Sequence, residues 1–493
     1  MNSYSLNQYK SYLSKKFNLV DFIDLNEFVH PGDLYDRILL CKKDNFLNDE
    51  RIVFVYSNNK INYLLEVINR IDIPEFFIIL LVPNNVTFSY NVGDITVLYL
   101  KEFELTNNKV FDIPANHCIY PWINVQVDNL GFVAPCCEFN STKNYSLKEL
   151  SLKENYLNAS YNQIRSAFRN NTQMPECNAC WVKEAAGSPS MRSLAKHKLG
   201  DIYYKIDFTK DDVNDLQMLD LKLGNNCNLS CRICNENASS SIAKFKLNHN
   251  ELSLQKFNEI KDLSLWAESA DFNDQILELA PNLRYLNIYG GEPFMNKMHF
   301  NFLSKLIDLK VASKISIDYN SNGTFYSEKF FDYWRNFKKV KVSFSIDDIG
   351  ERFEVQRDGG DWNQVVKNIQ EYNSQTSENF ITDIFPTVNI QNVYYLPELI
   401  DWANTQNFSE SLTFNILRLP AELSIHNLPK AVKEVVANKL SKYPVLNPVL
   451  NYMFRDPTAS VNVFEYLTRL DQNRKVSYFQ THKEFAKILI NYS

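Results

Sequence analysis

Short continuous apolar runs punctuate the first hundred residues, and amphipathic stretches separate them. Residues 51–56 (RIVFVY) and 76–82 (FFIILLV) have the length and composition of strands buried on both faces. Between them Leu64, Leu65, Val67, Ile68 and Ile71 recur at helical spacing, and 95–100 reads as a further strand. Strand-helix-strand order predicts a small α/β domain over residues 1–108. It has no Gly-rich phosphate loop and so no nucleotide fingerprint; a structural module is expected there, with a docking or substrate-presenting role as the alternative.

From residue 218 the alternation becomes regular. Strand patterns occupy 218–223, 283–289, 314–319, 340–346, 385–390 and 412–417. Helical patterns at 239–245, 251–267, 300–309, 328–337, 362–372 and 396–404 lie between them. Repeated strand-helix units predict parallel strands joined by right-handed crossovers, over residues 212–420. Such strands are too few to close an eight-stranded barrel. Residues 421–493 read as amphipathic helices, for example 432–440 and 464–470.

Composition narrows the function. A chain of 493 residues accommodates two or three domains, and 45% hydrophobic with 22% charged residues is ordinary for a globular protein. A net charge of −6 gives no reason to expect nucleic acid or an anionic membrane as a partner. The most apolar run, 76–82, is too short to cross a bilayer, and MNSYSLNQYK lacks the basic-then-apolar pattern of a signal peptide. A cytoplasmic location is therefore expected. In a reducing compartment, nine cysteines point to metal or catalysis rather than to disulfides. Eight of them fall in two groups between Cys118 and Cys234, while Cys41 stands alone as a small core residue.

The second group is Cys227-Asn-Leu-Ser-Cys231-Arg-Ile-Cys234, directly after a strand. Three thiolates on one tight loop lack the fourth ligand of a structural zinc site. They suit a 4Fe–4S cluster with one iron left open; unrelated thiols or part of a zinc ribbon are the alternatives. The first group comprises Cys118, a hairpin (strand 123–127, turn 128–131) ending in Cys136-Cys137, and a Cys177-Asn-Ala-Cys180 knuckle. The hairpin would bring Cys118 near Cys136. Four such thiolates suit zinc or a second iron–sulfur cluster, and spacing does not choose between them.

The octapeptide 227–234 resembles the C-x3-C-x2-C motif of radical S-adenosylmethionine (SAM) enzymes. That resemblance implies a partial (β/α)6 barrel, a 4Fe–4S cluster on Cys227, Cys231 and Cys234, and SAM on the open iron. It further implies reductive cleavage of SAM to a 5′-deoxyadenosyl radical. Gly290-Gly291-Glu292-Pro293 matches the family's GGEP turn, whose backbone and carboxylate would hold the SAM amino group. Asn320-Ser321-Asn322-Gly323 resembles the segment after the third strand that approaches the methionyl or ribose part. Ser345 and Asp347 resemble the fourth-strand residues near the ribose, and Arg357 an arginine placed for the SAM carboxylate. Asn389 would end the fifth strand, and Ile233 would present its backbone to adenine.

Cys118, twelve residues, Gly131, four residues and Cys136 resemble the SPASM/Twitch auxiliary-cluster signature, and Cys177 and Cys180 would complete one cluster. The resemblance covers 109–200, with zinc as the alternative occupant. It departs from the family in preceding the barrel and in offering Cys137 as a fifth thiol. Trp181, Glu184, Gly187, Ser188, Ser190 and Arg192 are similar to the tail that follows this knuckle, with Arg192 placed to bridge two domains. The family implies a peptide or small-metabolite substrate and a reductase such as flavodoxin or ferredoxin. A competing reading is a zinc-binding scaffold with a degenerate barrel.

Overall fold

The computed structural model describes residues 117–492 except 141–144, 186–189, 200–201, 203–205, 213–214, 410–411 and 458–461, together with the backbone of four earlier strands. The chain divides into two compact units. The first holds β1 (Val20–Asp24), β2 (Arg51–Tyr56), β3 (Phe76–Val82) and β4 (Ile95–Tyr99), paired in parallel in that order. The apolar runs at 51–56 and 76–82 are strands over their whole length. β1 escaped the sequence reading because aspartates interrupt its short run. The helix expected at 61–71 lies outside the described residues.

The second unit comprises Tyr120–Ala167, Met174–Asn178 and Asp211–Ser493. Its centre is a sheet of β5 (Asn124–Val127), β6 (Phe132–Ala134), β7 (Tyr145–Ser146), β8 (Met218–Lys222), β9 (Tyr285–Tyr289), β10 (Ser316–Ser321), β11 (Lys339–Phe344) and β12 (Phe380–Ile384). Strands β8 to β12 are parallel and lie in chain order. β5 adds in parallel to β8, and β6 and β7 continue beyond it antiparallel. The cysteine hairpin is thus part of the same sheet.

Two strands differ from the expectation. The run 385–390 is not one strand: Pro386 has no N–H for a ladder. β12 ends at Ile384, and only Thr387–Val388 (β13) resumes, paired with Asn415–Ile416 (β14). The expected strand 412–417 is reduced to those two residues.

Helices cover one face of the sheet, and serines mark several of their starts. Ser239, Ser253 and Ser269 each accept a backbone N–H three residues on, opening helices Ser240–Asn248, Leu254–Ser264 and Ala270–Leu279. The last of these lies beyond the expected helical stretch 251–267 and was not foreseen. Leu219, Leu286, Ile317 and Val340, on four neighbouring strands, share one buried apolar core with Val432, Val436, Leu467 and Phe485 of the later helices. Residues 430–492 therefore fold against the sheet and its helices. Among the described residues no helix is long and apolar enough to cross a membrane.

Candidate active site

The cysteine loop leaves β8 through Gly224 at φ +70°, where an added Cβ would lie 2.6 Å from the Ser264 carbonyl oxygen. Its own backbone is tied at both flanks. The Cys227 N–H donates to Ser240 Oγ (3.1 Å), and Ser241 Oγ donates to the Cys227 carbonyl (2.7 Å). The Ser230 N–H donates to the Asp358 carbonyl (2.8 Å) and the Arg232 N–H to that of Gln356 (2.9 Å). Cys231 is buried, and Cys227 and Cys234 are half-buried.

Burial pushes all three thiols up, Cys231 to about 12 and Cys234 to about 11, while the Arg357 guanidinium pulls the other way. Such thiols stay protonated at neutral pH, and a coordinated metal deprotonates them outright. Among the described residues no three His, Cys, Asp or Glu side chains gather as the ligand set of a single ion. A cluster makes no such demand, since its thiolates bind different irons. The three-thiol loop fits an iron–sulfur cluster in donor chemistry.

Gly290 and Gly291 bring the next turn against this loop. Both have positive φ, +85° and +55°. A Cβ on Gly291 would lie 2.3 Å from the Asn226 carbonyl oxygen, so only glycine allows the approach. That carbonyl accepts the Glu292 N–H (2.7 Å), one residue before Cys227. The Glu292 side chain is buried and already engaged: Oε1 accepts from Ser321 Oγ (3.0 Å) and the Phe294 N–H (3.3 Å), and Oε2 from the Asn322 N–H (2.7 Å). Burial raises its carboxyl to about 7 against these donors.

Asn320 and Ser321 are the last residues of β10 rather than part of the turn; Ser321 is buried on the Glu292 side. Asn322 Nδ2 reaches Cys227 Sγ (4.0 Å) and donates to Asn228 Oδ1 (2.9 Å). The half-buried Ser345 donates its N–H to the Ser321 carbonyl (2.8 Å). Arg357 pairs with Asp347 (2.8 Å) and points a second nitrogen at Cys231 Sγ (3.9 Å). Asp347 also accepts the Thr387 N–H (2.7 Å), the bond that restarts the chain after Pro386. Two bonded sets result: Cys227, Asn322, Glu292 and Ser321, and Cys231, Arg357 and Asp347. Ile233 is half-buried against the core. Asn389 is fully buried in a local turn, its side chain donating to the Thr387 carbonyl and accepting from the Gln391 N–H.

Sequence reasoning missed the sheet's other face. Gln126, Asp220, Asn287, Asp318 and Lys341 stand side by side across five strands, in register. Their chain neighbours Val125, Leu219, Leu286, Ile317 and Val340 form the parallel row in the core. Lys341 also pairs with Asp383 (2.7 Å). A closed barrel packs this face with branched apolar residues; here it is polar. The signal was the i, i+2 recurrence of polar residues within each strand.

The earlier cysteines fall in both units: buried Cys118 and Cys180 in the first, half-buried Cys136 and Cys177 in the second. In the second, the Asn140 N–H donates to the Glu176 carbonyl (2.9 Å), tying the segment after Cys136 to the one before Cys177. Cys137 is exposed. In the first, Arg192 pairs with Glu184, lies over the Trp181 ring (4.6 Å) and donates to the His117 carbonyl (2.9 Å), all within its own unit. Gly187 and Ser188 lie outside the described residues.

No curated protein matches the chain. Among solved structures it is similar to native anSMEcpe with bound AdoMet, at 17% identity over 53% of this chain and 68% of that one (TM-score 0.30). It is also similar to SuiB of Streptococcus suis, at 13% identity over 73% and 76% (TM-score 0.31). Residues 221–403 match the family model for the Radical SAM superfamily. That span holds the cysteine loop, the Gly290–Glu292 turn and the Asp347–Arg357 pair, and it is a radical SAM domain.

Proposed function

We propose that the chain is a radical SAM enzyme built on a partial (β/α)6 barrel, acting on a peptide or small metabolite. The observation that carries this reading is the joining of the three-thiol loop to the Gly-Gly-Glu turn through the bond from the Glu292 N–H to the Asn226 carbonyl. When bound, the cluster and SAM supply a 5′-deoxyadenosyl radical that abstracts hydrogen from the substrate. The chain's residues hold and orient. Cys227, Cys231 and Cys234 would hold the cluster, and Arg357, fixed by Asp347 and aimed at Cys231 Sγ, would offset the negative charge of the thiolates and receive the SAM carboxylate. With SAM bound, Gly290, Gly291 and Glu292 would hold its amino group, Asn320 and Ser321 would approach its methionyl or ribose part, Ser345 and Asp347 its ribose, and the Ile233 backbone its adenine. The polar row Asp220, Asn287 and Asp318 favours a substrate that presents hydrogen-bonding groups to the barrel interior. Cys118, Cys136, Cys177 and Cys180 are proposed to hold an auxiliary 4Fe–4S cluster, with zinc as the alternative, and a flavodoxin or ferredoxin to deliver the electron.

The test is anaerobic reconstitution with iron, sulfide and zinc counting, then SAM and dithionite with assay of 5′-deoxyadenosine. About eight irons per chain and cleavage abolished in Cys231→Ala are expected. About four irons plus zinc would keep the radical chemistry and make the earlier cysteines a zinc site. No iron and no cleavage would overturn the proposal.

A further inference from the structure

Arg232 sits between two of the three loop cysteines, yet its side chain is only 1% exposed. Burying a guanidinium is costly unless every donor finds an acceptor. All of its acceptors come from outside the loop: the Val355 carbonyl on Nε (2.7 Å), the Val476 carbonyl on Nη2 (2.8 Å) and Asp471 on Nη1 (2.5 Å). Asp471 is itself fixed, accepting from Ser477 Oγ (2.6 Å) and the Tyr478 N–H (3.0 Å).

A cation from the segment that carries Asp471 holds the other side of Cys231. Arg474 Nη1 donates to the Ser230 carbonyl (2.9 Å) and to Asp358 (2.5 Å), and its guanidinium lies 4.7 Å from the centre of the Phe245 ring. Phe245 belongs to the helix that follows the cysteine loop, and the Asp358 carbonyl accepts the Ser230 N–H. Residues on both sides of Cys231 are therefore anchored to 471–476, more than two hundred residues away in the chain.

We propose that Asp471 and Arg474 are positioning residues for the cysteine loop, a clamp that fixes Ser230 to Arg232 so that Cys231 is presented in place before any metal arrives. The inference rests on the reading of these cysteines as cluster ligands, but the preformed loop is testable without it. A charge-assisted bond to a carbonyl or carboxylate is among the stronger kinds, and its loss frees a local opening rather than the whole fold.

The experiment uses the full chain and its Arg474→Gln, Arg474→Lys and Asp471→Asn variants. Hydrogen exchange of the amides of residues 230–234 is followed before reconstitution. After it, iron release to a chelator and the electron paramagnetic resonance signal of the reduced cluster are recorded. Arg474→Gln and Asp471→Asn are expected to exchange about ten- to a hundredfold faster at 230–234, with the amides of β9 to β11 unchanged. They are expected to release iron faster and to shift the resonance signal, with Arg474→Lys intermediate because it keeps a donor. Exchange at 230–234 indistinguishable from the parent would overturn the clamp. So would equal acceleration throughout the sheet, which would mark these residues as general stabilisers. A parent that takes up no iron would sink the radical SAM reading, while the exchange data would still decide the clamp.

Discussion

Glu292 shows how one buried carboxylate couples two parts of the site. Its N–H binds the strand-end loop that leads into Cys227, and its oxygens gather donors from Ser321, Asn322 and Phe294. Burial outweighs these donors and raises the carboxyl from its ordinary 4.5 to about 7. The folded chain then holds this proton more tightly than the unfolded chain. The resulting stabilisation is complete below pH 4.5 and is lost as the pH rises through about 7. Glu292→Gln does not titrate. The stability of the parent relative to this variant should therefore fall between pH 5 and pH 8, by up to about 3 kcal/mol. Urea unfolding of both proteins across that range measures the difference. Parallel curves would show that Glu292 carries no such proton.

Strand β10 and the helix Lys297–Asp308 show the opposite slope. Trp334 Nε1 donates to Tyr319 Oη (3.3 Å), and Tyr319 Oη and His299 Nε2 share a hydrogen bond (2.7 Å). Burial pushes His299 down from 6.5 to about 3. Below pH 6.5 the unfolded chain binds the proton that the folded chain refuses. This stabilisation is full above pH 6.5 and is lost as the pH falls toward about 3. Between 4.5 and 6.5 it opposes the Glu292 effect, so the parent's pH profile should be flatter than that of either variant. His299→Gln is expected to cost about 1 kcal/mol at pH 7 through its hydrogen bond and to lose less on acidification. Melting temperatures of parent and variant at acidic and neutral pH test this.

The sequence revealed elements of this kind where one physical signal dominated. Continuous apolar runs marked β2 and β3, and serine caps accompany the helices after β8. It misplaced the fifth strand because Thr382 and Asp383 interrupt the apolar run of β12, while 385–390 looks more apolar despite Pro386. The polar row on the sheet was invisible for a related reason: an i, i+2 polar pattern reads as a solvent face until the strands are placed side by side. Nothing local announces that Asp471 meets Arg232.

Across the whole second unit, the continuous sheet makes the cysteine hairpin inseparable from the radical SAM domain. Val125 and Val127 on β5 are fully buried in the same core as Leu219 and Leu221 on β8. The turn between β5 and β6 reaches the site itself. Asn129 Nδ2 donates to the Gly224 carbonyl (2.6 Å) at the entry to the cysteine loop. The same nitrogen would lie 2.8 Å from a Cβ on Gly290. Gly131, at φ +84°, packs against the Trp266 ring, whose Nε1 donates to the Asn129 carbonyl (3.3 Å). A chain shortened to 212–493 would expose the ladder edge of β8 and strip these contacts from both glycine turns. Such a fragment is expected to aggregate or to lose cooperative unfolding, and to bind iron substoichiometrically at Cys227, Cys231 and Cys234 under conditions in which the full chain binds it fully. Size-exclusion chromatography, near-ultraviolet circular dichroism and iron analysis decide the matter. A fragment that unfolds cooperatively and carries its full cluster would make the hairpin an appendage. A fragment that does neither would mean that β5 and its turn complete the wall against which the cysteine loop is built.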